Sequence, residues 1–294
     1  MVFHRGELEA QARAGFTTRA LAVSRMVQPL LPEGADDFLS RQNMLVVGAQ
    51  ADDGRLWASL FAGPRGFVSA PDDESVQVLA RLAPADPVEP MTRRPGRLGL
   101  LAIDLETRIR LRMNGTSTPL PSGLRLAVEQ SFPNCPKYIQ QRSVISLDGT
   151  PPEPVAATSV SALTDDMSRF VSRADTFFIA SASETGDPDV SHRGGNPGFV
   201  EVLSPTRLRW PDYKGNSMLM TLGNIIENPN TALLFVEWTT GTTLHLTGRA
   251  EVSWSPSRAV EFEVDEVVLL PRSLPANWSA PILSRFNPPV PAAG

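Results

Sequence analysis

The sequence has little of several residue types that functional sites commonly need. Its 294 residues include one cysteine, Cys135, which excludes an internal disulfide and a cage of thiolate metal ligands. The three histidines, His4, His192 and His245, are too far apart to form a metal-ligand motif. Basic residues number 27 against 32 acidic ones, so the net charge is −5 and no overall positive field favours a nucleic acid.

Long apolar runs are also missing. None approaches the ~18 residues that cross a bilayer, so we expect no membrane span. Residues 1–15 include four charged side chains and lack the apolar core of a signal peptide. We therefore expect a cytoplasmic protein.

Common nucleotide and nucleophile motifs fail on their spacing. In the glycine-rich segment at residues 194–198, Pro197 stands where a dinucleotide-binding helix would begin. The segment at residues 215–219 lacks the second glycine of a nucleophile elbow, and no Walker motif is present. The chain has only two lysines and two tyrosines, and they form adjacent pairs, Lys137-Tyr138 and Tyr213-Lys214.

The sequence contains an internal duplication. Residues 38–68 align without a gap on residues 170–200, at an offset of 132. The match resumes at an offset of 133, where Leu111 and Gly115 align with Leu244 and Gly248. Two copies of one fold are the simplest interpretation.

Each copy has the pattern of a small β-barrel. The apolar runs at residues 44–48 and 177–180 are each followed by a polar turn, centred on Gly54 or Gly186, and then by another extended segment, which predicts a hairpin in each copy. Further strands are predicted over residues 98–105, 108–113, 232–238 and 242–247. Residues 217–227 have the spacing of a helix, and Asp36-Asp37 and Thr164-Asp165-Asp166 are candidate helix caps. We predict a mainly β (α+β) protein with a few short helices. The predicted parts are a helical extension (1–35), the first copy (36–146), a Pro-rich linker (147–160) and the second copy (161–294).

The two copies differ in their polar residues at matched positions. Where the first copy has Leu60-Phe61-Ala62, the second has His192-Arg193-Gly194. The second copy then has the segment Trp210-Pro211-Asp212-Tyr213-Lys214-Gly215-Asn216-Ser217 just before the predicted helix. Two cations, two side-chain donors and the free amides of a helix start suit a phosphate. The first copy ends in Asn134-Cys135-Pro136-Lys137-Tyr138-Ile139-Gln140, so Lys137 and Tyr138 are candidates for the opposite wall.

Each of these residues also has a simpler interpretation. Arg193 and Lys214 alone are typical of solvated loop positions, and His192 of a loop histidine. His245 lies between Leu244 and Leu246, which suggests an outward-facing strand position. Cys135 has the character of a small buried apolar residue. The functional interpretation rests on their coincidence in two segments.

These segments resemble a known family. SHRGGNPGFV (191–200), WPDYKGNS (210–217), LGNIIENPNTALLF (222–235), LTGRAEV (246–252) and NCPKYIQ (134–140) are similar to the pyridoxamine 5'-phosphate oxidase-related flavoproteins, specifically the longer branch with two copies. The terminal segments FHRGELEAQARAG and SRFNPP also resemble that branch. The resemblance implies tandem split β-barrels that bind FMN non-covalently between two barrels, often in a homodimer.

Carried over by position, Arg193 matches the family arginine at the FMN phosphate, and residues 212–217 match the segment that lines the phosphate and ribityl chain. Thr242 and Thr243 fall where the oxidases place polar groups toward the flavin. The chain departs from true oxidases because it lacks the Arg-Lys pair between Asn216 and Thr221 and a basic cluster near its carboxyl end. We therefore expect an FMN-dependent oxidoreductase that acts on a small molecule other than vitamin B6. The alternatives are a deazaflavin or haem binder on the same fold and a non-catalytic scaffold.

Overall fold

The computed structural model describes residues 2–147 and 156–290. The segment before the first sheet is helical, with α1 (Arg5–Arg13), α2 (Thr17–Val23) and a short 3-10 helix (Ser24–Met26). None of the helices in the described ranges is long and apolar enough to cross a membrane.

The first copy forms one antiparallel sheet. Its elements are α3 (Ala35–Ser40), β1 (Met44–Gln50), β2 (Leu56–Ala62), β3 (Val68–Asp72), β4 (Ser75–Val78), α4 (Glu89–Thr92), β5 (Gly96–Asp104), β6 (Ile109–Leu120) and β7 (Gly123–Pro133). The strand order across this sheet is β2-β1-β5-β6-β7-β4-β3. A short strand after it, β8 (Val144–Leu147), belongs to a separate two-stranded sheet.

The second copy repeats the same arrangement. Its elements are β9 (Thr158–Val160), α5 (Asp165–Arg173), β10 (Thr176–Ala182), β11 (Pro188–Gly194), β12 (Glu201–Ser204), β13 (Arg207–Pro211), α6 (Met220–Glu227), β14 (Asn230–Glu237), β15 (Thr242–Ser253), β16 (Ala259–Leu270) and β17 (Ala276–Trp278). The main strand order is β11-β10-β14-β15-β16-β13-β12, which is the order of the first sheet. β17 pairs with β8. The predicted mainly β fold, with two split barrels and a few short helices, is confirmed.

The two sheets pack against each other through their first strands. Along β1, Leu45 and Val47 lie in the core of the first barrel, whereas Val46 lies in an apolar core shared with Phe178 and Leu234 of the second copy. β1 and β10 are therefore buried on both faces, which explains why both segments are continuous apolar runs in the sequence.

The amino-terminal helix lies against the second copy. α1 contacts α6, and a Cβ atom at either Gly6 or Gly223 would overlap the other helix. Gln11 of α1 donates a hydrogen bond to the carbonyl of Met218 at 2.8 Å. α1 thus supports the segment at which α6 begins.

Two local predictions need correction. α3 begins after Gly34, so Asp36 and Asp37 lie in its first turn and do not cap it, whereas Thr164 does cap α5 by accepting a bond from the Met167 amide. In the predicted linker, residues 148–155 lie outside the described residues, and Thr158–Val160 form β9, which pairs with β16.

Candidate functional site

A cleft lies between the two copies, and both contribute residues to it. The second copy contributes the end of β11, the segment after β13 and the start of α6; the first copy contributes β6 and the segment after β7. Ten residues singled out from the sequence line this cleft: Lys137, Tyr138, His192, Arg193, Gly194, Pro211, Asp212, Tyr213, Asn216 and Ser217. The lining residues of this cleft therefore come from both copies of one chain.

A glycine at the end of β11 lets the two copies meet. A Cβ atom at Gly194 would overlap the carbonyl oxygen of Tyr138, so only glycine permits this approach. The Tyr138 hydroxyl donates to the Lys214 carbonyl at 3.1 Å, and its ring centroid lies 5.1 Å from that of Tyr213. The two rare Lys-Tyr pairs therefore meet at one wall of the cleft.

Four arginines surround His192, and they differ in their partners; Arg110, Arg112 and Arg142 are buried, and Arg193 is half-buried. Arg112 is paired with Asp189 at 2.7 Å and Arg142 with Asp175 at 2.7 Å. Arg110 donates to His192 Nδ1 at 3.2 Å and to the Cys135 carbonyl. Arg193 donates to Ser191 Oγ at 2.7 Å and to the His192 carbonyl at 3.1 Å. Within the part of the chain that the structure describes, no carboxylate forms an ion pair with Arg110 or Arg193.

Burial of these cations is electrostatically costly. Burial, together with the neighbouring Arg112 and Arg193, lowers the pKa of Arg110 to about 9. Burial also lowers the pKa of Arg193. The pKa of His192 lies well below its usual value because the ring is buried and faces Arg110, so the imidazole is neutral at pH 7. An anion in the cleft would offset these charges.

The hydrogen bond from Arg110 fixes the tautomer of His192. A guanidinium can only donate, so Nδ1 accepts and the neutral ring has its proton on Nε2. Nε2, Arg110 Nε and Thr221 Oγ1 are buried without a hydrogen-bond partner among the described residues. Because His192 and Arg110 offer donors, the cleft favours a ligand rich in acceptor atoms, as a phosphate is.

The enclosed part of the cleft is small. Its volume is about 100 Å³, and one water needs ~10–15 Å³ by this measure. A phosphate-sized group fits there, and the remainder of a larger ligand would lie toward the open side. Three non-glycine residues at this place, Tyr138, Ser217 and Leu219, have positive φ angles of 65°, 69° and 56°. Such strained backbone is concentrated at binding sites.

Three predicted residues lie elsewhere. Lys214 is exposed and does not line the cleft, although its carbonyl contacts Tyr138. Thr242 and Thr243 begin β15, and Thr243 lines a different cavity, where its hydroxyl contacts Ser273. The reason is the duplication: β15 corresponds to β6, and each of these strands faces the cavity of the other copy.

Arg110 and Arg112 were not predicted from the sequence, and the outward-facing position predicted for His245 is wrong. His245 is fully buried, and its Nδ1 donates to the Ala58 carbonyl at 2.8 Å. The duplication contains a signal for both arginines. Leu111 and Leu244 align, and the residues beside them differ: Arg110 and Arg112 in the first copy, Thr243 and His245 in the second.

Comparisons with known proteins agree with this fold. Residues 163–268 match the family model of pyridoxamine 5'-phosphate oxidase. The chain thus has the split barrel of the pyridoxamine 5'-phosphate oxidase family, as the resemblance implied. No curated protein matches the sequence.

Several solved structures are similar to part of the chain. A putative pyridoxamine 5'-phosphate oxidase from Lactobacillus delbrueckii is 21% identical, with 36% of this chain and 93% of that one covered at a TM-score of 0.29. An F420 reductase is 13% identical, with 34% and 93% covered at a TM-score of 0.26. HutZ, the heme storage protein from Vibrio cholerae, is 12% identical, with 43% and 97% covered at a TM-score of 0.26. At these identities and TM-scores the likenesses carry no argument about the ligand.

Proposed function

We propose that the cleft binds FMN through its phosphate and that the protein is an FMN-dependent oxidoreductase of the two-copy branch. It would transfer a hydride or electrons to or from a small molecule, and it would not be a true vitamin B6 oxidase. The observation that supports this most is the pair Arg110 and Arg193, one from each copy, which line one cleft with no carboxylate paired to either in the described residues. A phosphate dianion is a suitable counter-charge for two guanidinium groups.

The cleft residues divide into three roles. Arg110 and Arg193 would neutralise the phosphate, and His192 would donate to it through Nε2–H. Asn216 and Ser217 would hold the phosphate and ribityl chain from the second copy, and Lys137 and Tyr138 would close the site from the first. Arg110 also supplies the positive charge that the missing Arg-Lys pair supplies in true oxidases.

The redox chemistry would come from the cofactor. Bound FMN supplies hydride and electron transfer, whereas the protein supplies binding, orientation and exclusion of water. His192 is neutral and hydrogen-bonded to Arg110, so it suits a positioning donor better than an acid or base. We assign no general acid or base, because hydride transfer to a flavin does not require one.

The absorbance spectrum of freshly purified protein tests this proposal. We expect flavin bands that are bleached by anaerobic titration with a reduced nicotinamide. A Soret band would indicate haem, and the spectrum of a deazaflavin would indicate that cofactor. Colourless protein whose thermal stability does not change on addition of FMN would indicate a scaffold, and any of these three results would contradict the proposal.

The variant Arg193→Ala tests whether bound FMN occupies this cleft. Arg193→Ala removes a buried partner of the phosphate, so it should cost about 2–5 kcal/mol of FMN affinity. The matched control is Arg207→Ala, because Arg207 is exposed, paired with Glu261 and absent from the cleft lining. Equal retention of FMN by both variants would remove Arg193 from the site.

We also propose that the chain forms a homodimer, as the resemblance implies. Exposed apolar side chains at Val144, Ile145 and Ile282 lie on neighbouring segments joined by the Gln141–Ile282 bridge. Such a patch is typical of interaction surfaces. Light scattering on the eluting protein should give twice the chain mass, and an Ile145→Glu variant should elute as a monomer.

A further inference from the structure

A second cavity lies in the first copy at the position equivalent to the cleft. Its volume is about 510 Å³, within the ~300–1,000 Å³ typical of small-molecule sites. Like the cleft, it begins at the second strand of one copy and is closed by a strand of the other. Ser59 takes the place of Ser191, and Thr243 takes the place of Arg110.

The second cavity has none of the cleft's arginines at the matched positions. Leu60 and Phe61 stand where the cleft has His192 and Arg193, and His245 stands where it has Arg112. The sheet registers support this correspondence, since Ala102 pairs with Leu111 in the first copy and Phe235 with Leu244 in the second. A phosphate would find no buried cation among these residues.

A buried carboxylate lies at this cavity instead. Asp86 is 6% exposed, accepts hydrogen bonds from the Ser59 hydroxyl and the Val88 amide, and has no arginine or lysine as an ion-pair partner within the described residues. The nearest titratable ring is His245, whose Nε2 lies 4.0 Å from Asp86 Oδ2. Arg93 at the rim is already paired with Glu89.

Arg81 also lines the cavity, but its side chain is exposed and donates to the Pro121 carbonyl, whereas the polar groups around His245 present acceptors. His245 Nδ1 donates to a carbonyl, so in the neutral ring Nε2 accepts from the Thr243 hydroxyl at 2.8 Å. The Thr243 oxygen then lies 2.8 Å from the Ser273 hydroxyl, which also donates to the Gly241 carbonyl at 3.3 Å. Ser273 is left with lone pairs, and the remaining walls include Leu60, Leu79 and Leu274.

We propose that this second cavity is a binding site for a small amine with an apolar body, held by Asp86 and Ser273. The ligand cation would complement the buried carboxylate as an anion complements the arginines of the cleft. The duplication would then have produced two related cavities of opposite charge preference. The site does not depend on the identity of the cofactor in the cleft.

The test compares two probes of similar shape, 2-phenylethylamine and 3-phenylpropionate, by calorimetry on the full chain. We expect the amine to bind in the millimolar range or tighter and the carboxylate not to bind. Asp86→Asn should weaken amine binding about tenfold or more, whereas Asp166→Asn, at an exposed position on α5, should leave it unchanged. Arg193→Ala should also leave it unchanged, because Arg193 lines the other cavity.

If Asp86→Asn does not fold, Ala83→Trp tests the proposal instead. Ala83 lies on a loop that lines the cavity, so a tryptophan there should fill the cavity and abolish amine binding. The proposal is overturned if the amine does not bind at millimolar concentration or the carboxylate binds as well. It is also overturned if amine binding survives Asp86→Asn or Ala83→Trp unchanged.

Discussion

Arg110 of the first copy donates a hydrogen bond to Nδ1 of His192 in the second copy at 3.2 Å. This bond joins two strands, β6 and β11, that belong to different copies, and it directs the imidazole proton to the unpartnered Nε2. Both copies therefore contribute hydrogen-bond donors to the cleft.

Replacement of Arg110 should weaken FMN binding although Arg110 lies outside the copy that matches the family model. Arg110→Ala removes a buried charge and a fixed donor, so we expect a loss of about 2–5 kcal/mol in binding free energy. Arg110→Lys should lose less, because it keeps the charge but not the planar fork. Fluorescence titration measures this, with Arg125→Ala as an exposed control in the same copy. Wild-type affinity in Arg110→Ala would show that the second copy binds the phosphate alone.

Inorganic phosphate should stabilise the FMN-free protein. A ligand that binds only the folded state adds about 2.7 kcal/mol at 100 times its dissociation constant. We expect the melting temperature to rise with phosphate and not with sodium chloride at equal ionic strength. Arg193→Ala should abolish the rise, and an equal rise with both salts would argue against a specific anion site.

Gly194→Ala should disturb the contact between the copies. The added Cβ would overlap the Tyr138 carbonyl, so the first-copy segment must move away from the cleft. We expect weaker FMN binding and a lower melting temperature. Gly96→Ala is the matched control, because Gly96 begins β5 outside the cleft lining and no atom lies within 4 Å of a Cβ at that position. Equal FMN affinities and melting temperatures in the two variants would contradict the contact between Gly194 and Tyr138 at the cleft.

The stability of the protein should decrease as the pH rises from about 4.5 to about 7 because of Glu7. Burial raises the pKa of this carboxyl from 4.5 to about 7, although the adjacent His4 acts in the opposite direction. Between these values the folded state binds the proton more strongly than the unfolded state, so stability present below pH 4.5 is lost as the pH rises. The loss is on the order of 3 kcal/mol.

Chemical denaturation at several pH values measures this loss. Glu7→Gln should flatten the pH dependence of the unfolding free energy in that range. Glu9→Gln, at a neighbouring position on the same helix paired with Arg13, should not flatten it. Equal slopes in Glu7→Gln and wild type would show that Glu7 is ionised at little cost in the folded state.

The sequence predicted the strands and the duplication well because these depend on local patterns. β1, β10 and β14 are apolar runs with glycine or polar turns beside them, and α6 ends where Asn228-Pro229 stops it. The helix start was predicted at Ser217 but lies at Met220, since Ser217 and Leu219 adopt left-handed conformations. That backbone depends on tertiary contacts that no propensity describes.

The cleft residues that were predicted from the sequence lie in a few short contiguous segments whose residue types could be recognised together. Arg110 and Arg112 were missed because their role depends on which face of β6 meets the other copy, and this is a property of barrel docking. His245 was placed wrongly for the same reason. Alternation along β15 predicts two faces, but both faces are buried, one in the barrel core and one against the first copy.

The most direct test of the central claim compares the affinities of FMN and riboflavin by quenching of flavin fluorescence in the FMN-free protein. The two ligands share the ring and ribityl chain and differ in the phosphate. If Arg110 and Arg193 bind the phosphate, FMN should bind at least about a hundredfold more tightly, and the ratio should fall toward one in the double variant Arg110→Ala/Arg193→Ala. Equal affinity of the wild-type protein for FMN and riboflavin would contradict the account.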